Sequence, residues 1–221
     1  MPRIFTPDVL RLYLVLDPTL CGGAQGMVDT ARAAAANGAT LVQLRAPQWK
    51  KRALVECARA LKKVLAPFGV PLIVNDHADV CLAANAEGLH VGQKDLSPVD
   101  ARALIGQNRI LGLSANTAEH FSVVDRNLVD YLGVGPIALT RTKTDTGAAL
   151  GISGFAALAS CKPCPIVAIG SVSVLNARDL MRAGADGIAV VSAICGKPDA
   201  ARATRELADI VNFRDRPQAL S

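Results

Sequence analysis

Eight short apolar runs, rich in Val, Ile and Leu, recur along the chain and constrain its fold more than any other feature. Their first residues are on average about 25 positions apart. Each run is continuously apolar and does not alternate with polar residues, which is typical of strands buried on both faces of a parallel sheet. The predicted strands are residues 13–17, 40–45, 71–76, 88–93, 110–115, 130–137, 165–170 and 187–194.

Ala- and Leu-rich segments with helical character separate the strands. They are residues 27–36, 49–65, 78–84, 98–105, 117–126, 154–160, 174–183 and 199–212. An internal sequence repeat supports a repeated βα unit. The stretch Ala-Asn-Ala-Glu-Gly-Leu-His-Val (84–91) matches Ala-Gly-Ala-Asp-Gly-Ile-Ala-Val (183–190) in pattern. Eight such units predict an α/β fold of the (β/α)8 TIM-barrel type, with eight parallel strands in a single domain.

An open, doubly wound sheet is the alternative architecture. Such a sheet has two edge strands, and none of the eight runs has the polar composition of an edge. No Pro- or Ser-rich linker divides the chain. We therefore predict an N-terminal arm at residues 1–10, a catalytic barrel domain at residues 11–213 and a C-terminal tail at residues 214–221.

Composition limits the classes of function. The 221 residues are 51% hydrophobic and 19% charged, which excludes a disordered or low-complexity chain. No stretch of 18 residues lacks a charge and the N-terminus lacks a signal-peptide pattern, so we expect a cytoplasmic protein without a membrane segment. The net charge is +5, but the basic residues are scattered and only 4% of residues are aromatic. This favours small anionic ligands over nucleic acid.

The six cysteines are expected to be reduced in such a compartment. Cys161 and Cys164 are the only two that lie close together in sequence. A zinc site would require a second cysteine pair or nearby histidines, and the three histidines are far away in sequence. A thioredoxin-like motif would open a helix, whereas Cys164 is followed by Pro165 and a predicted strand. The sequence thus predicts loop cysteines without a chemical role.

Polar residues at the carboxyl ends of the predicted strands identify the expected site, because barrel enzymes bind their substrates there. Asp76 and Asp95 follow neighbouring strands. Two carboxylates without a His or Cys partner favour Mg²⁺, which also binds substrate phosphates. Arg45 and Lys143 would complete a clamp for a diphosphate. The structural alternatives are that Asp76 caps the next helix and that Asp95 is an ordinary loop carboxylate.

A second, uncharged group of residues follows the last two strands, where barrels commonly bind phosphate. Gly170, Ser171 and Ser192 offer backbone N–H groups and hydroxyls for a monophosphate. Thr140 and Thr142 would add hydroxyl donors. Taken alone, Gly170 is equally typical of a tight turn, and Ser192 of a buried core hydroxyl.

The strand ends contain no evident set of nucleophile, base and orienting residue. His77 is the only histidine expected beside such an end, and simple solvent exposure explains it equally well. Gly22-Gly23, after the first strand, lacks the pattern of a dinucleotide-binding loop. Hydride transfer and covalent catalysis are therefore disfavoured. A reaction that releases a Mg²⁺-bound diphosphate is favoured.

Seven short motifs follow one another along the chain. They are Val-Gln-Leu-Arg (42–45), Ile-Val-Asn-Asp (73–76), Gly-Leu-His-Val-Gly-Gln-Lys-Asp (88–95), Gly-Leu-Ser (112–114), Asp-Tyr-Leu-Gly-Val-Gly-Pro (130–136), Thr-Arg-Thr-Lys (140–143) and Ala-Asp-Gly-Ile-Ala-Val-Val-Ser (185–192). Together they resemble the thiamine-phosphate synthase family over about residues 11–212. The resemblance implies a transferase that joins hydroxymethylpyrimidine diphosphate to hydroxyethylthiazole phosphate and releases thiamine phosphate and diphosphate.

The same resemblance implies roles for the matching residues. Asp76 and Asp95 would bind Mg²⁺ as the cofactor. The residues implied to bind the pyrimidine substrate are Gln43 at the ring, Arg45, Asn75 and Lys143 at the diphosphate, and Ser114 beside the reacting carbon, with Arg45, Ser114 and Lys143 as catalytic residues. The residues implied to frame the phosphate of the thiazole substrate are Thr140, Thr142, Gly170, Val191 and Ser192. In this family the diphosphate is expected to leave first, and the thiazole nitrogen then captures the pyrimidine-methyl cation.

Two positions depart from the family pattern. A Lys usually follows the Arg by two residues, whereas this chain has Pro47; one hypothesis is that Lys50 or Lys51 supplies the missing cation. The usual second glycine after the seventh strand is Ser171, which requires a compatible backbone φ. The Thr- and Gly-rich stretch 137–153 is predicted to be a lid that substrate orders.

Three other functions are consistent with parts of the sequence. A thiazole tautomerase-like relative would lack the paired Asp residues and would carry a His near Pro136. A non-catalytic barrel that binds thiamine precursors is supported only by Pro47. A sugar-phosphate epimerase or an amino-acid-biosynthesis isomerase would need a general base or a His-containing metal site at a strand end. Barrels of this size often form homodimers, although no apolar stripe outside the predicted core identifies a contact surface.

Overall fold

The eight predicted strands are all present and close into a barrel. The computed structural model describes residues 5–138 and 149–212. The strands are β1 (Leu12–Leu16), β2 (Leu41–Leu44), β3 (Leu72–Asn75), β4 (Gly88–Val91), β5 (Ile110–Ser114), β6 (Tyr131–Val134), β7 (Ile166–Ile169) and β8 (Gly187–Val190). All are parallel and pair in chain order, and β8 pairs with β1. The prediction of a (β/α)8 TIM barrel is confirmed.

Helices surround this barrel in the described part of the chain. They are α1 (Pro18–Cys21), α2 (Ala24–Ala35), α3 (Lys51–Leu65), α4 (Ala78–Ala83), α5 (Pro98–Ile105), α6 (Ala118–Ser122), α7 (Gly151–Ala159), α8 (Ala177–Arg182) and α9 (Ala200–Asn212). The short helix α1 was not predicted. It forms because the Asp17 carboxylate accepts the Leu20 N–H at 2.9 Å and so caps its first turn. Gly22 and Gly23, both with positive φ, then turn the chain into α2.

One helix begins later than its sequence pattern predicts. The predicted segment 174–183 is helical only from Ala177. Before it, the Asn176 side-chain oxygen accepts the Ser173 N–H at 2.9 Å, and the Ser173 hydroxyl accepts the Leu175 N–H at 3.3 Å. These local side-chain bonds compete with helix formation and hold residues 173–176 in a turn.

The strands are buried on both faces, which explains their unbroken apolar composition. An outer core lies between the strands and the helices. An inner core fills the barrel and consists of Leu10, Tyr13, Val15, Leu41, Ile73, Ile110, Tyr131, Val167 and Ala189. Because side chains alternate along a strand, residues two positions beyond an inner-core residue also point into the barrel. This alternation decides which side chains can meet inside it.

A buried ion pair stabilises the end of the barrel at which the strands begin. Arg102, on α5, donates to Asp130 at 3.0 Å, and the two side chains are only 2% and 5% exposed. The Arg102 guanidinium also donates to the carbonyls of Leu128, Gly106 and Arg109. Asp130 accepts the Leu111 N–H as well. Charge and hydrogen-bonding capacity are thus satisfied together, as buried ion pairs require.

Residues before β1 pack under the same end of the barrel. A short 3-10 helix, Pro7–Leu10, buries Leu10 in the inner core, and the Phe5 ring stacks on Tyr131 with centroids 6.4 Å apart. The boundaries at residues 1–10, 11–213 and 214–221 stay predictions. Within the described ranges, none of the helices combines the length and the apolar composition that a membrane span requires.

Candidate active site

Five polar side chains form a continuous hydrogen-bonded chain inside the barrel, which we call the interior polar chain. Its members are Gln43, Tyr13, Tyr131, His90 and Ser114. The Gln43 amide donates to the Tyr13 hydroxyl at 2.5 Å, and the two tyrosine hydroxyls lie 2.8 Å apart. His90 then links Tyr131 to Ser114, with 3.0 Å from Nδ1 to the phenol oxygen and 3.0 Å from Nε2 to the Ser114 Oγ. Burial raises the pKa of both tyrosines, so both phenols are neutral at neutral pH.

Strand register and a glycine make room for this chain. His90 on β4 pairs with Gly112 on β5, which in turn pairs with Tyr131 on β6. A Cβ added to Gly112 would overlap the Tyr131 ring and would lie 2.5 Å from the His90 Nδ1. Gly112 therefore leaves the space that the imidazole and the phenol share. Ser114, two residues further along the same strand, faces the same interior.

The expectation that no histidine other than His77 stands beside a serine at a strand end was wrong. His90 contacts Ser114, and its other ring nitrogen contacts Tyr131. The sequence hides this pair because His90 lies within an apolar run, 24 residues before Ser114. The alternation of β4, together with Gly112 on the neighbouring strand, is the signal that identifies His90 as an interior residue. The third member is a neutral phenol and not a carboxylate, so the arrangement orients Ser114 and lacks the charge that a serine nucleophile's base normally has beside it.

Asn75, Asp76 and Asp95 lie at the carboxyl ends of β3 and β4, which form the mouth of the barrel. Asp76 has a φ of 62°, a left-handed conformation that Asp and Asn tolerate better than most residues. Its N–H donates to the His90 carbonyl at 2.8 Å, which ties the end of β3 to β4. The Asn75 amide donates to the Asp76 Oδ2 at 2.6 Å, and the Gly92 N–H donates to the Asp95 Oδ2 at 2.8 Å.

The chemistry of these donors fits Mg²⁺. Asp76 is half-buried and Asp95 is exposed, and both supply the hard oxygen atoms that Mg²⁺ prefers. Over residues 5–138 and 149–212, no three His, Cys, Asp or Glu side chains are grouped as a metal site. Two carboxylates nevertheless suffice for Mg²⁺, which usually takes one or two and completes its shell with water and substrate phosphates.

Cationic side chains stand at the same edge of the mouth. Arg45 directly follows β2 and is half-buried. The Lys51 ammonium lies 2.8 Å from the His77 Nδ1 and 2.9 Å from an Asp79 oxygen. Burial, together with the Lys51 charge, lowers the pKa of His77, while the charges of Asp79 and Asp95 oppose that shift. Lys51 is thus held by the residue that directly follows Asp76.

Lys50 has a different environment from Lys51. It lines an open groove of about 570 Å³ between α2 and α3, together with Trp49, Gln25 and Glu56. Trp49 packs there against the outer core. Apart from Lys50, no predicted site or replacement residue lines this groove. Of the two lysines considered as substitutes for the cation missing at position 47, Lys50 therefore lines the outer groove, whereas Lys51 lies at the mouth beside His77.

The residues predicted to hold the monophosphate follow β7 and β8. Gly170 has a φ of 91° and fits closely against Pro136, since an added Cβ would lie 2.7 Å from the Pro136 Cβ. Ser171 has a φ of 57°, so the serine adopts the left-handed conformation that glycine would adopt more easily. Val191 packs against the inner core, and Ser192 is exposed. These two strand ends adjoin each other because β7 pairs with β8.

Three predicted site residues, Thr140, Thr142 and Lys143, lie outside the described residues. The predicted lid at 137–153 lies outside them from 139 to 148. Where the chain is described again, the Leu150 N–H donates to the Pro136 carbonyl and the Gly151 N–H to the Ile137 carbonyl, each at 2.9 Å.

Comparison with known proteins identifies the family of this chain. The family model described as thiamine monophosphate synthase matches residues 12–194, which run from the first residue of β1 to just beyond β8. The chain belongs to the thiamine monophosphate synthase family. The match includes the positions of all the predicted site residues, from Gln43 to Ser192.

Relatives named thiamine-phosphate synthase align with nearly the whole chain. The one from Xanthobacter autotrophicus is 50% identical over 207 residues, which are 94% of this chain and 96% of that protein. The one from Azorhizobium caulinodans is 50% identical over 205 residues, with coverage of 93% and 96%. A solved structure, a thiamine phosphate pyrophosphorylase from Pyrococcus furiosus, superposes with a TM-score of 0.83 at 31% identity and covers 93% of this chain and 96% of that one.

Proposed function

We propose that this protein is a thiamine-phosphate synthase, a transferase that joins hydroxymethylpyrimidine diphosphate to hydroxyethylthiazole phosphate. Membership of the thiamine monophosphate synthase family, matched from residue 12 to residue 194, is the observation that carries the proposal. The site supports it because carboxylates, cations and an oriented hydroxyl gather at one mouth, where a diphosphate-bearing substrate needs all three.

The reaction breaks one bond and forms one. The C–O bond between the pyrimidine methylene carbon and the diphosphate breaks, and its electron pair leaves with the diphosphate. The thiazole nitrogen then supplies the electron pair of a new C–N bond to that carbon. Such a substitution needs no covalent bond to the protein, so the side chains contribute charge stabilisation and placement.

Each side chain at the mouth has a role in this proposal. Asp76 and Asp95 would hold Mg²⁺, and Arg45 and Asn75 would hold the diphosphate. When bound, Mg²⁺ neutralises part of the negative charge that grows on the leaving diphosphate. Gln43 would contact the pyrimidine from the interior, where the Tyr13 hydroxyl already fixes its amide.

Ser114 and the cation near position 47 complete the pyrimidine side. His90 fixes the Ser114 hydroxyl beside the expected position of the reacting carbon. Lys51 lies beside His77, which directly follows the proposed magnesium ligand Asp76. It replaces the lysine that the family usually carries where this chain has Pro47. Lys143 would add a further cation to the diphosphate.

On the other side of the mouth, Gly170, Ser171, Val191 and Ser192 would bind the phosphate of the thiazole substrate. Thr140 and Thr142 would add hydroxyl donors there. A cytoplasmic location and a homodimeric state stay predictions.

A turnover assay tests the proposal. Purified protein is mixed with both substrates and Mg²⁺, and thiamine phosphate is quantified with and without EDTA. We expect product only when Mg²⁺ is available. No product, accompanied by a rise in melting temperature with hydroxyethylthiazole phosphate or thiamine phosphate, would instead support a barrel that only binds thiamine precursors. Interconversion of thiazole phosphate tautomers without condensation would support a tautomerase.

A further inference from the structure

The turn that follows β7 is held by hydrogen bonds to its carbonyl groups. Gly170 and Ser171, its first two residues, have φ values of 91° and 57°. The Gly170 carbonyl accepts the Ala138 N–H at 3.3 Å, and the Ser171 carbonyl accepts the side-chain amide of Asn176 at 3.0 Å. A serine in the left-handed region is strained, so this conformation depends on the contacts that hold it.

Asn176 connects two points of the turn. Its side-chain nitrogen donates to the Ser171 carbonyl, and its side-chain oxygen accepts the Ser173 N–H at 2.9 Å. Its own N–H donates to the Ser173 carbonyl at 3.2 Å. Because a carbonyl only accepts and an N–H only donates, the two side-chain contacts fix which way the amide group of Asn176 faces. Asn176 is therefore a defined support for the Ser171 carbonyl.

The Ser171 carbonyl and the Val172 N–H belong to the same peptide group. Such a group is planar and trans, so its C=O and N–H bonds point in opposite directions. The hydrogen bond from Asn176 to the carbonyl therefore also sets the direction of the Val172 N–H, which points away from Asn176.

Val172 supplies an independent indication of a ligand. The residue is only 6% exposed, and among residues 5–138 and 149–212 no group accepts its N–H. Buried N–H groups without a partner are rare in folded proteins, because such a group costs the free energy of a lost hydrogen bond. A bound water or a ligand usually satisfies them.

The position of this N–H matches the proposed phosphate site. Val172 directly follows Gly170 and Ser171, and β7 pairs with β8, whose end carries Val191 and Ser192. Successive backbone N–H groups in a turn form concave sites that bind anions.

We propose that the Val172 N–H donates to the phosphate of the thiazole substrate and that Asn176 is the positioning residue that directs it there. This inference rests on the proposed function, which supplies the phosphate. Asn176 acts through the peptide group between Ser171 and Val172. The same hydrogen bond supports a serine at the position where the family usually has a glycine.

Substrate kinetics test the role of Asn176 with a matched control from the same turn. The Ser173 hydroxyl accepts the Leu175 N–H at 3.3 Å, and its removal leaves both side-chain contacts of Asn176 in place. We expect Asn176→Ala to raise the KM for hydroxyethylthiazole phosphate by about 10-fold, the size of effect of a hydrogen bond to a charged group. The KM for hydroxymethylpyrimidine diphosphate should stay within about twofold, and Ser173→Ala should change both values less than about twofold.

Two kinetic results would overturn the role of Asn176. One is an unchanged KM for the thiazole substrate in Asn176→Ala. The other is an equal rise of both KM values, accompanied by a lower melting temperature, which would mean that the asparagine only stabilises the fold.

Nuclear magnetic resonance tests the Val172 contact without turnover. Uniformly 15N-labelled protein is titrated with hydroxyethylthiazole phosphate and, separately, with inorganic phosphate. We expect the amide proton of Val172 to move downfield in wild type and in Ser173→Ala, and to respond much less in Asn176→Ala. A Val172 signal that stays in place while the Ser192 amide responds would overturn the contact. If the protein makes no thiamine phosphate, the proposed function fails, and the Val172 signal with inorganic phosphate still decides the role of Asn176.

Discussion

The Nε2 atom of His90 lies 3.0 Å from the Oγ atom of Ser114. The other ring nitrogen is held at the same distance by the Tyr131 phenol, so the imidazole has little freedom to turn. A serine hydroxyl rotates freely unless a partner fixes it. His90 thereby fixes the orientation of the one hydroxyl that the family resemblance places beside the reacting carbon.

We predict that His90→Asn lowers kcat by up to about 100-fold, because small misplacement of a positioned group has effects of that size. The KM for the thiazole substrate should change little. Ser114→Ala should lower kcat comparably, and the double variant should be no worse than the poorer single variant, because both changes remove the same placement. Additive losses, or a matching loss of thermal stability in His90→Asn, would point to a purely structural histidine.

Removal of one carboxylate at the mouth should weaken Mg²⁺ binding. In Asp76→Asn and Asp95→Asn the remaining amide oxygen can still accept the neighbouring N–H, and Asn tolerates the left-handed backbone at position 76. We expect the Mg²⁺ concentration for half-maximal activity to rise by about 10- to 100-fold in each variant. Asp125→Asn, in the loop that enters β6 at the other end of the barrel, is the control and should leave it unchanged.

Two adjacent lysines provide a matched pair of variants. Lys51→Ala should raise the KM for hydroxymethylpyrimidine diphosphate by about 10-fold, since a charged hydrogen bond to a phosphate contributes an effect of this order. Lys50→Ala should change this KM less than about twofold, because Lys50 lies in the groove between α2 and α3. Equal effects of the two substitutions would contradict the assignment of Lys51, and no effect of either would mean that the site works without a replacement for the usual lysine.

Asp130→Asn should destabilise the fold and leave substrate binding intact. The substitution removes the carboxylate of a buried ion pair and leaves the Arg102 charge in place, which costs about 3–5 kcal/mol in comparable cases. Urea unfolding monitored by circular dichroism measures this loss, and KM values of the folded variant should match those of wild type. Asp8→Asn is the control, because it breaks an ion pair with Arg11 in which Asp8 is 77% exposed. It should lower the free energy of unfolding by less than about 1 kcal/mol. A change in KM without a change in stability would assign Asp130 to the site.

The strands were predictable because burial on both faces gives a signal within each short run of sequence. The positions of Asp76 and Asp95 at neighbouring strand ends followed from the same reasoning, since parallel strands end at one edge. The extra helix α1 was missed because one carboxylate, Asp17, decides it, and the periodic pattern begins only later. Local capping bonds of this kind are weak signals in a composition-based prediction.

The interior polar chain was not predictable for a different reason. Tyr13 and Tyr131 contact each other only because eight strands close into a ring of one particular register. Sequence periodicity predicts which side of a strand a residue faces, but the partner across the barrel depends on closure and stagger.

The separate placement of the tyrosines and the tryptophan gives this protein two intrinsic optical probes. Its only two tyrosines lie inside the barrel, whereas its only tryptophan, Trp49, lies in the groove between α2 and α3. Excitation at the red edge of the absorption band would therefore follow the outer groove alone. The ultraviolet change that accompanies phenol ionisation would follow the interior, because burial raises the pKa of both phenols and delays that change in alkali until the barrel opens. A single unlabelled sample can thus separate local changes at the surface from disruption of the barrel itself.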